Sequence, residues 1–167
     1  PRALAYIPQA SLPIIQPSWL TADNQLDPDK LLTSFLAFWK QHGQPLLRSA
    51  PYHEIAPHLV MMSYLHRVVN SQGTIEREYA IGSRRIDLLV QYGDTKVAME
   101  LKVWRDGQKD PQDDGLSQLD RSLDGLELET GWLVIFDQRS NLPDIAERVR
   151  TESAVSPSGR PITLIYA

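Results

Sequence analysis

Glu100 and Lys102 place a carboxylate and an ammonium two residues apart inside the apolar run "KVAMELKVW". In an extended strand they share one face, while Val97, Met99, Leu101 and Val103 occupy the other. A charged pair in such a run is costly unless it is paired or has chemistry to perform. Upstream, "RRIDLLV" puts Arg85, Asp87 and Leu89 on one side and Ile86, Leu88 and Val90 on the other. The connection Gln91–Lys96 is short enough for the two segments to pair directly. Asp87 and Glu100 then approach each other where the strands splay, with Lys102 alongside.

Two carboxylates held together repel, and a cation between them relieves the repulsion. Mg²⁺ binds through one or two carboxylates and leaves positions for water and phosphate oxygens. A neighbouring lysine orients or deprotonates water and offsets charge growing on phosphate. One Asp, one Glu and one Lys on adjacent strands therefore make a workable phosphodiester hydrolase site. The competing reading is an ordinary salt bridge on a solvated strand face.

The elements around these residues are legible in outline. Asp27-Pro28 and the amphipathic run through Leu32, Phe35, Leu36 and Trp39 predict a helix closed by Gly43. A second helix is expected in "YHEIAPHLVMMSYLHRVVN", with Leu59, Met62 and Leu65–His66 on its apolar face; Pro57 is tolerated if it lies in the first turn and kinks the helix otherwise. "TIEREYAIG", "RRIDLLVQY" and "KVAMELKVW" read as three strands in a meander. Leu116, Leu119, Leu123 and Leu126 mark one face of a following helix, and "WLVIFD" has the unbroken apolar character of a strand buried on both sides. A short helix over 144–150 and a strand "PITLIYA" complete the expectation. A meander followed by a helical crossover implies an α/β fold, a mixed sheet with helices on its faces. Residues 1–27, with prolines at 1, 8, 13 and 17, read as an extended arm, and 28–167 as one domain.

The chain has 167 residues, a formal net charge of -4 and no cysteine, which excludes disulfides, thiolate metal sites and cysteine nucleophiles. It is read as a cytoplasmic protein with no membrane association, and as a piece of a longer one. The acidic balance argues against a general electrostatic nucleic-acid binder. Charge is unevenly spread: seven basic residues face six acidic ones between Glu76 and Lys109, whereas 110–129 holds seven acidic residues and only Arg121. An anionic ligand should therefore approach the middle of the chain. No G-x-x-x-x-G-K phosphate loop and no G-x-S-x-G elbow is present.

In order and spacing these motifs resemble the PD-(D/E)XK nuclease superfamily, whose core runs helix, three-strand meander, helix, strand. The match is Asp87 in "RRIDLLV" followed by Glu100-Leu101-Lys102 in "MELKV". More narrowly, "EREYAIGSRRIDLLV", "AMELKVWRDG", "GLSQLDRSLDGL" and "GWLVIFDQRS" resemble the nuclease-like domain C-terminal to certain prokaryotic AAA-type ATPases. The resemblance covers about Pro45 to Ala167. It implies a restriction-endonuclease-like fold and a Mg²⁺- or Mn²⁺-dependent nuclease acting on DNA. Its implied partners are DNA and an upstream ATPase domain of the same protein, with a homodimer possible in addition. It places Asp87, Glu100 and Leu101 at the metal and makes Lys102 the catalytic lysine. Glu54 is the matching acidic residue from the first helix, Glu78 is the alternative, and Gln118 is the glutamine that shapes the site.

The sequence departs from the family pattern at Ile86, where a proline is usual, and at Ser122, where a tyrosine follows the glutamine by four. The alternative function is a catalytically inactive nuclease-fold module that binds nucleic acid or a protein partner. Arg84 and Arg85 are the candidates for phosphate contact. His42, His58 and His66 lack metal-ligand spacing and read as surface or helix-packing residues. Trp39, Trp104 and Trp132 read as core or half-buried anchors, Trp104 being the one positioned to touch a substrate.

Overall fold

Asp27 begins the folded helical part. In a computed structural model, which describes residues 18–49, 56–69, 72–81 and 84–167, its Oδ1 accepts the amides of Asp29 at 3.0 Å and Lys30 at 3.3 Å. That side chain caps a helix whose first position is proline, so the expected start signal works as written. The helix, α1, spans Pro28–Ser49, and α2 spans Ala56–Val69. There follow β1 (Gly73–Ile81), β2 (Arg84–Tyr92), β3 (Thr95–Trp104), α3 (Gln112–Leu126), β4 (Gly131–Asp137), α4 (Ile145–Arg148), β5 (Arg150–Val155) and β6 (Pro161–Tyr166).

The strands form one six-stranded mixed sheet in the order β1-β2-β3-β4-β6-β5. β1, β2 and β3 are the antiparallel meander, and β3, β4 and β6 run parallel. β4 is buried along its whole length, as its unbroken apolar run predicts. One core lies between the sheet and α1, α2 and α4, built on Phe35, Trp39, Leu65, Met99 and Phe136. The second lies under α3, where Leu116, Leu119 and Leu123 meet Leu133, Ile135 and Leu164. Within residues 18–27, Leu26 is buried and Trp19 and Leu20 pack on the first core.

Several expectations are corrected. Gly43 does not close α1, which continues through Pro45 to Ser49. A Cβ at Gly43 would stand 2.9 Å from the Trp39 ring and 3.3 Å from Ile145, so glycine is there for close packing rather than termination. Gln44 Oε1 accepts the Ile145 amide at 3.1 Å, which ties this extension to α4. The apolar face of α2 is Met61, Leu65 and Val68 with Tyr64, while Leu59 is exposed, because nearly every residue from 59 to 65 is apolar and the period is ambiguous. α4 is only four residues long, and its expected end, Arg150, opens a strand instead. That strand, β5, lies at the sheet edge, exposed except at half-buried Ala154, and carries no apolar alternation. Finally, Ile86 joins Leu89 in the α3-side core while Leu88 and Val90 join the other, so strict alternation in β2 breaks at Asp87.

Candidate active site

The break at Asp87 coincides with the end of a ladder. β2 and β3 pair from Tyr92–Thr95 down to Leu88–Met99, and the next positions in that register are Asp87 and Glu100. Instead of a backbone partner, the Asp87 carboxylate reaches across: its Oδ2 accepts the Leu101 amide at 2.8 Å. The splaying expected from sequence is therefore what lets the two acids meet.

Glu100 is held rigidly because β3 is also paired on its other side, with Glu100 opposite Leu133 and Lys102 opposite Ile135 in β4. It is 5% exposed. Its Oε1 lies 3.8 Å from Lys102 Nζ, and its Oε2 is buried with no hydrogen-bond partner. Burial, reinforced by the negative charge of Asp87, pushes the Glu100 carboxyl up to about 8, against the opposing pull of Lys102. A hydrogen bond from the protonated Glu100 carboxyl to Asp87 acts in the same direction as burial.

Lys102 points toward α3, where its Nζ donates to Gln118 Oε1 at 2.5 Å. The helix is seated for this by Leu119 and Leu123 and by Gly115, whose absent side chain lets it approach Leu133; a Cβ there would lie 2.6 Å from Leu133 Cδ1. Asp87, Glu100, Lys102 and Gln118 are thus brought together from three elements. Leu101 contributes its amide to Asp87, while its side chain belongs to the α2-side core. Arg85 is exposed and opposite Ala80, and Arg84 opens β2 with its side chain outside the described residues. Glu54 lies outside the described residues, and Glu78 lies in β1 with its side chain likewise outside them. Ser122 is buried under α3. Trp104 is half-buried: its Nε1 donates to the Gln108 carbonyl at 3.0 Å, and the Arg139 guanidinium covers its ring at 3.5 Å.

His58, expected as a surface or helix-packing residue, shares a cavity with Asp87. It stands in the first turn of α2 and lines a cavity of about 40 Å³ with Met62, Arg77, Asp87, Leu88 and Leu101. Only the docking of α2 on the meander brings it there, so no linear signal marks it.

Among the described residues no cluster of three or more His, Asp or Glu side chains is gathered for a metal. The two-carboxylate set still suits a hard divalent cation: two acids in contact, one of their oxygens buried and unpartnered, and oxygen donors throughout. Comparison with protein families, with characterised proteins and with solved structures returns no match to this chain. No helix among the described residues is long and apolar enough to cross a membrane.

Proposed function

We propose that this chain is a metal-dependent nuclease that hydrolyses phosphodiester bonds in DNA, with a PD-(D/E)XK-type site on a restriction-endonuclease-like fold. The observation that carries it is the contact between the Asp87 and Glu100 carboxyls beside Lys102, at the end of the β2–β3 ladder. An ion pair of Glu100 with Lys102 requires neither a second acid against it nor a buried Glu100 Oε2 left without a partner.

Asp87 and Glu100, with Leu101 between Glu100 and Lys102, would hold Mg²⁺ or Mn²⁺. Such an ion supplies acidification of water and withdrawal of charge from phosphoryl oxygens. The Asp87 carboxylate is fixed by the Leu101 amide, so its remaining lone pairs face the site in one orientation. Glu100 is fixed by strand pairing on a buried face. Lys102, oriented by Gln118, places its ammonium where charge develops on the phosphate or where the attacking water must be aligned. Water adds to phosphorus and a P–O ester bond breaks, giving a phosphomonoester and an alcohol. Cleavage of DNA with Mg²⁺ or Mn²⁺ by the wild type, compared with Asp87→Ala and Lys102→Ala, tests this. Cleavage that persists in both variants would overturn it.

A further inference from the structure

On the α2 side of the sheet, Asp87 borders the cavity of about 40 Å³ that it shares with His58 and Arg77. The His58 Nε2 is buried and has no hydrogen-bond partner in the protein. Its ring lies 6.1 Å from that of Phe136, an apolar wall that offers it no polar contact. A buried ring nitrogen without a partner is costly, and such groups are normally satisfied by ordered water. A cavity needs roughly 10–15 Å³ of this kind of space to hold one water, together with two to four polar neighbours. This one is large enough, and His58, Asp87 and Arg77 supply the neighbours.

We propose that His58 is a positioning residue for Asp87, acting through water held in this cavity. The imidazole Nε2–H donates to that water, and the water donates to the Asp87 carboxylate. Asp87 is then gripped from two sides, by the Leu101 amide at 2.8 Å and by the solvated imidazole. Burial favours the neutral His58 ring; Asp87 opposes this and Arg77 reinforces it. A neutral ring with its proton on Nε2 is the form that fits. The consequence for metal binding rests on the proposed function, since it takes Asp87 as a ligand; partners that orient a ligand typically change affinity by about 10–100-fold when removed.

Two measurements on the whole chain test the link and its consequence separately. Long-range ¹H–¹⁵N spectra of the imidazoles at pH 8 should show His58 as the Nε2–H tautomer in wild type and as a tautomer mixture in Asp87→Ala, which removes every acceptor at that position. Identical tautomer ratios in the two proteins would overturn the link whether or not metal binds. Calorimetry with Mn²⁺ should then show affinity at least about tenfold weaker in His58→Phe, with part of the loss restored in His58→Gln, which keeps a hydrogen-bonding group. Wild-type affinity in folded His58→Phe overturns the positioning role. A wild type that binds no Mn²⁺ overturns the proposed function instead, and the tautomer spectra still decide the His58–Asp87 link. If His58→Phe fails to fold, His58→Gln and the spectra carry the decision.

Discussion

Asp87 Oδ2 accepts the amide of Leu101, one residue beyond the acid it faces, at the point where β2 and β3 stop pairing. The carboxylate thus has a structural duty beside the proposed chemical one, and substitution can separate them. Asp87→Ala removes both: the Leu101 amide loses its acceptor, at about 1–3 kcal/mol, and cleavage falls by about 100-fold or more. Asp87→Asn keeps an acceptor oxygen and loses the charge, so its stability stays close to wild type while cleavage falls as far. Denaturant unfolding beside a DNA cleavage assay checks this, and equal stability losses in the two variants would contradict it.

Lys102 and Gln118 are expected to differ in kind. Lys102→Ala removes the ammonium itself and lowers cleavage by about 100-fold or more. Gln118→Ala leaves the charge and removes only the acceptor that orients it. Its expected loss is smaller, and Mn²⁺ affinity in calorimetry should be unchanged in Gln118→Ala. An equal loss of cleavage in the two would make Gln118 part of the chemistry rather than of the positioning.

How far the sequence reached follows from which forces act locally. The meander, the Asp87, Glu100 and Lys102 constellation and the apolar face of α3 depend on two-residue and four-residue periods, and these are written in the chain. The continuation of α1 past Gly43 depends on Trp39 and Ile145, which meet only in the folded state. β5 was invisible because an exposed edge strand needs no apolar alternation; its pairing with β6 comes from the backbone. Likewise, Ile86 changed sides because the ladder ends beside it, a property of two strands and not of one. The neighbourhood of His58 is also not legible in the chain, because it comes from α2 lying over Asp87.

Gly115 shows the same balance between local and tertiary terms in a form that can be measured. Gly→Ala inside a helix ordinarily stabilises by about 0.5–1 kcal/mol. Here the added Cβ would stand 2.6 Å from Cδ1 and 2.9 Å from Cδ2 of Leu133, which is fully buried. Overpacking of this kind costs about 1–3 kcal/mol, so the net effect is destabilising. Because α3 must lift to relieve the clash, Lys102 loses its contact with Gln118 and cleavage drops together with stability. A Gly115→Ala protein more stable than wild type would show that α3 is not seated as described.

Glu100 makes the strongest statement about pH. Its carboxyl is pushed to about 8 in the folded protein from 4.5, first by burial and then by Asp87. Below about 4.5 it is protonated in both folded and unfolded chains and adds no pH dependence. Between 4.5 and 8 the unfolded chain has released the proton and the folded chain has kept it, so stability falls as pH rises, and the loss is complete above about 8. Glu100→Gln keeps the shape, donates to Asp87 as the protonated acid does, and cannot ionise. The difference in melting temperature between Glu100→Gln and wild type should therefore grow from pH 5 to pH 8 when divalent ions are chelated. Mn²⁺ favours the ionised acids, so adding it should stabilise the wild type more at pH 8 than at pH 5 and leave Glu100→Gln nearly unmoved. Equal stabilisation of both proteins by Mn²⁺ would place the ion somewhere other than between Asp87 and Glu100.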